Sequence, residues 1–180
     1  GALPRLPPFA QRVDVTGAVV AANDLAAGLG LLAGLERVSL PGAGDDPESE
    51  CRSASEAGLR ALETHDLVVV HVEATAECGR RGDAAAKVAA IARLDAEVVV
   101  ALLQGLRRRD PEWRVLVIPD HATPCTLRTH TAEPVPFVVY ASGDEAKPRS
   151  LARGFNERDA RDQGIFIPEA HTLLERLLRR

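Results

Sequence analysis

Methionine is absent from this chain of 180 residues, and aromatic side chains make up only 3% of it. Ala, Val and Leu must therefore fill the core, through many small contacts rather than a few large rings. Cysteine is scarce: Cys51, Cys78 and Cys125 are odd in number and far apart. That usage fits free thiols in a cytoplasmic protein better than a disulfide framework. No apolar run approaches the ~20 residues that a membrane span needs. No charged start followed by an apolar stretch marks a secretory signal. Positive charge is not in surplus, since the net charge is −4 and no basic stripe stands out. Nucleic acid is therefore not the expected partner. Arg107, Arg108 and Arg109 read as a solvated helix end.

What is present is 46% hydrophobic and 27% charged, enough for one sizeable core in a single domain, 1–180. Residues 1–12 open on a proline-bearing stretch and read as a linker. After it, strand and helix patterns alternate. Val13 to Ala22 reads as a β-branched strand, Asp24 to Leu35 as a helix, and Arg37 to Leu40 as a brief strand. A turn over Gly44 to Pro47 opens a helix from about Glu48 to Thr64. Leu67 to Glu73 reads as a buried strand by its continuous apolar run. Ala74 to Asp83 reads as a polar loop. A long helix is expected from Ala84 to about Arg109, with Val88, Ile91, Val98, Leu102 and Leu106 at roughly helical spacing. Strands follow at Arg114–Ile118 and Pro136–Ala141, and the tail from Pro168 to Arg180 reads as an amphipathic helix. This alternation implies an α/β fold, a mainly parallel sheet with helices on both faces. Ligands then belong beyond the carboxyl ends of strands, in the loops after Ala22, Glu73 and Asp120.

The chemistry concentrates in Val117-Ile118-Pro119-Asp120-His121-Ala122-Thr123-Pro124-Cys125 and the later His130. A carboxylate with two imidazoles suits a borderline divalent ion such as Mn²⁺ or Zn²⁺. Adjacent residues leave a strand on opposite sides, so Asp120 and His121 could serve two neighbouring metals that clamp a phosphoryl transfer. On the other reading, Asp120 caps the turn and the histidines make ordinary hydrogen bonds. Cys78 and Cys125 read as inert thiols, with a Cys/His metal site as the alternative. His71 reads as a satisfied core imidazole. Arg80 and Arg81 read either as a solvated pair or with Arg80 holding a phosphate or carboxylate.

The run Asp120-His121-Ala122-Thr123-Pro124-Cys125, then His130, then Glu133-Pro134-Val135-Pro136, resembles the C-terminal signature of archaeal-type, 2,3-bisphosphoglycerate-independent phosphoglycerate mutases. That family lies in the alkaline phosphatase superfamily. Val70-His71-Val72-Glu73-Ala74 resembles its strand before a metal-binding loop, and Glu77, Gly79, Gly82 and Asp83 match positions within that loop. Phe155-Asn156-Glu157 resembles its late Phe-Asn-Glu motif, and Thr16 to Ala22 resembles the strand that returns to the core. The resemblance spans about Val13 to Leu178. It implies the C-terminal half of an alkaline phosphatase-like core, and Asp120, His121 and His130 as metal ligands for weakly held Mn²⁺ or Zn²⁺. It implies a phosphorylated small molecule as ligand, and a phosphoserine nucleophile and further metal ligand in an N-terminal half outside this stretch or on a partner chain. It also exposes a departure. Where the family carries Asp-Glu-x-Gly-His, this chain has Ala76-Glu77-Cys78-Gly79-Arg80. Ala76 has no donor atom, and Arg80 is a permanent cation that repels a divalent ion. Three readings follow: a mutase-like enzyme inactive as this chain alone, a catalytically dead homologue serving as binding or partner subunit, or a related metal-dependent phosphatase or phosphonate enzyme.

Overall fold

The computed structural model of the chain describes residues 7, 9–40, 47–109, 111–146 and 153–178. Residues 44–46 of the expected turn, 1–6 and 8 of the expected linker, and 179–180 of the expected tail helix lie outside them. Helix α1 (Phe9–Val13) leads into strand β1 (Gly17–Ala21). The strand is shorter than the β-branched run from Val13 because Val13 closes α1 and Asp14 turns the chain at φ 52°. There follow α2 (Asp24–Leu32), β2 (Glu36–Val38), α3 (Pro47–Ala61) and β3 (Leu67–His71). Then come α4 (Ala74–Arg81), α5 (Ala84–Leu94), a π-helical turn (Asp95–Val99) and α6 (Val100–Arg109). Strands β4 (Arg114–Val117) and β5 (Val138–Ala141) precede α7 (Glu157–Asp162) and α8 (Leu173–Leu178).

β2, β1 and β3 form a parallel sheet in that order, with Val20 opposite both Val38 and Val70. Side chains alternate across β1. Val19 packs on one face with Ala27 of α2, Leu35 and Phe9; Val20 packs on the other with Ala54 and Ala57 of α3, Val68 and Val70. Helices thus cover both faces, as the alternating pattern implies. Small alanines on α2 and α3 let the helices approach closely, which is how a core with few rings is filled. No described helix is long and apolar enough to cross a membrane.

Four expectations are corrected. Ala74–Arg81 is a helix, not a loop: Gly82 closes it at φ 74°, and Glu77 pairs with Arg80 and Arg81 one turn on. The long helix is interrupted by the π-helical turn, which rotates the apolar stripe, so Val98 is buried while Val88 is 68% exposed. The tail is a 3₁₀ turn (Ala170–Thr172) leading into the short α8, with Leu173 and Leu177 buried. β4 and β5 pair antiparallel, from Arg114↔Ala141 to Val117↔Val138. A parallel pair needs a crossover that is usually helical, and residues 118–137 contain no helix.

Strand β3 departs from its sequence in burial. Its Leu-Val-Val-Val run reads as an interior strand, and β1 beside it is buried throughout. Yet no residue of β3 is buried, and Val69 is 42% exposed. Among the described residues β3 pairs with β1 alone, so its other edge is open.

Candidate functional site

The parallel pairing of β1 and β3 brings their carboxyl ends side by side. Asn23, just past β1, donates through Nδ2 to Oε2 of Glu73, just past β3. The Asn23 Oδ1 caps α2, accepting from the backbone of Leu25 at 2.8 Å and Ala26 at 3.1 Å. The second oxygen of Glu73, Oε1, accepts from Nη2 of Arg80 at 2.5 Å, and the same nitrogen donates to Oε2 of Glu77 at 2.8 Å. Arg81 Nη1 lies 3.4 Å from the remaining oxygen of Glu77. The hydrogen bond from Arg80, then that from Asn23, holds the Glu73 carboxyl below its ordinary range. Glu77, then Glu73, drives the Arg80 guanidinium further up.

His71 ends β3 next to this cluster. It is not the satisfied imidazole its apolar setting suggested, since its Nδ1 is buried with no hydrogen-bond partner among the described residues. Glu50 of α3 faces the same region. Burial first, and Glu73 second, push its carboxyl up, against a lowering by His71.

The Asp120–His130 segment forms a second cluster, tied to the first. Gly79 of α4 lies against the carbonyl of Thr123, so close that an added Cβ would collide with it. Lys87 of α5 donates to the same carbonyl at 2.7 Å. His121 Nε2 lies 3.2 Å from Oδ2 of Asp120, and its Nδ1 lies 3.2 Å from Oγ1 of Thr123. The His121 and His130 rings stack with centroids 3.6 Å apart and planes inclined by 27°. The structure therefore brings all three predicted ligands together, but not in a coordinating arrangement. Imidazole lone pairs lie in the ring plane, so two stacked rings do not converge on one ion. Among the described residues no group of three or more His, Cys, Asp and Glu could hold a metal. Ala76 adds no donor, and Arg80 fills the space between the nearest carboxylates with its own charge. The residues as placed do not fit a divalent ion. Cys78 and Cys125 are free thiols; Cys78 is buried and takes a hydrogen bond from Arg81 at 3.3 Å.

Of these residues, Asn23, Glu50 and Lys87 lie outside the candidates that the sequence offers. Asn23 carries a signal, an Asn directly before an Ala/Leu-rich helix. Glu50 carries none, because only folding places it near Glu73.

Fold and site together define an α/β core of the alkaline phosphatase-like kind, and the chain belongs to the Metalloenzyme superfamily, whose family model matches residues 1–177. Among its relatives is a probable 2,3-bisphosphoglycerate-independent phosphoglycerate mutase of Geobacter sulfurreducens. That protein is 38% identical over 180 residues, covering 100% of this chain and 44% of its own length. The 2,3-bisphosphoglycerate-independent phosphoglycerate mutase 2 of Methanothermobacter thermautotrophicus is 38% identical over 175 residues, 97% of this chain and 42% of its own. The PH0037 protein from Pyrococcus horikoshii shares the fold with a TM-score of 0.85 at 23% identity, over 99% of this chain and 52% of that one. The chain thus spans less than half the length of the curated relatives it matches.

Proposed function

We propose that this chain is the C-terminal half-core of a 2,3-bisphosphoglycerate-independent phosphoglycerate mutase-like protein and has no turnover by itself. The observation that carries this reading is the open edge of β3, a strand with an interior sequence and, among the described residues, no second strand partner, in a chain that spans 42% and 45% of the length of two of its relatives. A strand from the remaining portion, in the same polypeptide or on a partner chain, would complete the sheet along β3, beside Glu73. Neither nucleic acid nor membrane enters the reading, and the three free thiols suit the cytoplasm.

The reaction moves a phosphoryl group between the 3- and 2-positions of glycerate, through a serine supplied from outside this chain. Phosphoryl transfer is catalysed mainly by positioning and charge stabilisation. Arg80 is this chain's contribution to binding. Its Nη2 is committed to the two glutamates, but Nε and Nη1 carry three more N–H donors with no described acceptor. They suit the oxygens of a phosphorylated small molecule. Asp120, His121 and His130 are the remnant ligands. Their O and N donors suit Mn²⁺ or Zn²⁺, and binding would need the His130 ring to leave its stack on His121.

A second reading, a catalytically dead partner subunit, is favoured by the ion pairs that Arg80 makes with both glutamates. A coupled assay on 3-phosphoglycerate with Mn²⁺ separates the readings. The chain alone should be inactive. Adding the unmatched portion of the Geobacter relative should produce turnover if the half-core is competent, and none if it is dead. Turnover of roughly 1–10³ s⁻¹ by the chain alone would contradict both.

A further inference from the structure

We infer that Arg80 is a built-in cation, whose guanidinium bridges Glu73 and Glu77 as a divalent ion would, making this site metal-free by construction. One nitrogen, Nη2, spends its two N–H groups on two carboxylates, at 2.5 Å to Glu73 and 2.8 Å to Glu77. The bridge ties the N-cap of α4, Glu73, which directly follows β3, to Glu77 and Arg80 within the helix. Through the far oxygen of Glu73 it continues to Asn23 and the start of α2. Holding neighbouring carboxylates together at the end of a sheet is work that bound cations commonly do. Here the cation is covalently attached.

The charges close locally. Glu73 and Glu77 face Arg80 and Arg81, two of each sign, so neither bridging carboxylate is left unmatched for an arriving dication. The guanidinium stays protonated at any working pH. The displaced pKa values of Glu73 and Arg80 point the same way, each favouring its charged form. The inference goes beyond the mutase-like reading, because it concerns what holds this corner of the fold whether or not the completed protein turns over.

Thermal unfolding of the full chain tests it, with EDTA, with Mn²⁺ and with millimolar guanidinium chloride as probes. The wild-type Tm should be indifferent to EDTA and to about 1 mM Mn²⁺, since a ligand raises Tm only by binding the native state. Arg80→Ala should lower Tm by roughly 2–6 °C, and either Mn²⁺ or guanidinium should recover part of the loss by entering between the freed glutamates. Adding Glu77→Gln should abolish that recovery. Should Arg80→Ala not fold, Arg80→Gln carries the same comparison, because it keeps a polar, uncharged side chain with two N–H donors. The inference is overturned if Mn²⁺ raises the wild-type Tm as much as that of the variant. It is also overturned if the folded variants keep the wild-type Tm, or if recovery survives Glu77→Gln.

Discussion

Two carboxylates that share one nitrogen of Arg80 repel each other unless a cation stays between them. Protonating either carboxylate removes its attraction to Arg80, which makes the corner acid-sensitive. The folded carboxyl of Glu73 is depressed, so its contribution to stability is fully present above the ordinary carboxylate range and is lost as pH falls through the depressed value. Asp66, which accepts from both the backbone and the hydroxyl of Thr16, follows the same sign. Stability should therefore decline below about pH 4, and Glu73→Gln should flatten that decline, as read from Tm against pH. An unchanged acid limb in Glu73→Gln would remove Glu73 from the account. Gly79 gives a steric test at the same scale. Gly79→Ala should destabilise by about 1–3 kcal/mol through collision with the Thr123 carbonyl. Gly28→Ala on α2, where an added Cβ meets nothing within 4 Å, should stabilise by about 0.4–1 kcal/mol. Denaturant midpoints for the two variants should move in opposite directions. Part of the residue chemistry was legible in the sequence: Asp120, His121 and His130 draw attention by donor type and lie close together, and Arg80 stands out against the family resemblance. The Asn23–Glu73 contact was not, because it joins residues 50 positions apart. The stacking of His121 on His130 was not either, since a donor list carries no orientation.

At the scale of elements, the alternating order and the three parallel strands were readable from apolar runs and turn residues. The helix α4 was not, because its polar composition hides a run of i,i+3 and i,i+4 ion pairs that only a helix can use. The π-helical turn was hidden as well, since an extra residue within a helix leaves the local apolar spacing plausible while rotating everything after it. β3 is the opposite case, where sequence and structure disagree in an informative way. A valine-rich strand without Lys, Pro or a bulge makes a poorly protected edge. Amide hydrogen exchange should show it. In β1 the amides should be uniformly protected, while in β3 those directed away from β1 should exchange rapidly. Uniform protection across Leu67–His71 would mean that the edge is already covered. Val69→Lys should reduce self-association by light scattering without lowering Tm, because the side chain it replaces is 42% exposed.

For the whole molecule, the family and the site point in different directions. Metalloenzyme superfamily membership covers residues 1–177, yet the described donors do not gather around an ion. Two features reconcile these: a core that spans less than half the length of its curated relatives, and a helix, α4, that carries its own cation. Calorimetric titration of the wild-type chain with Mn²⁺ and then Zn²⁺ tests that central claim most directly. The account predicts no saturable site tighter than about 1 mM, equivalent to roughly −4 kcal/mol. Two tight saturable sites, both abolished by His121→Ala, would contradict it.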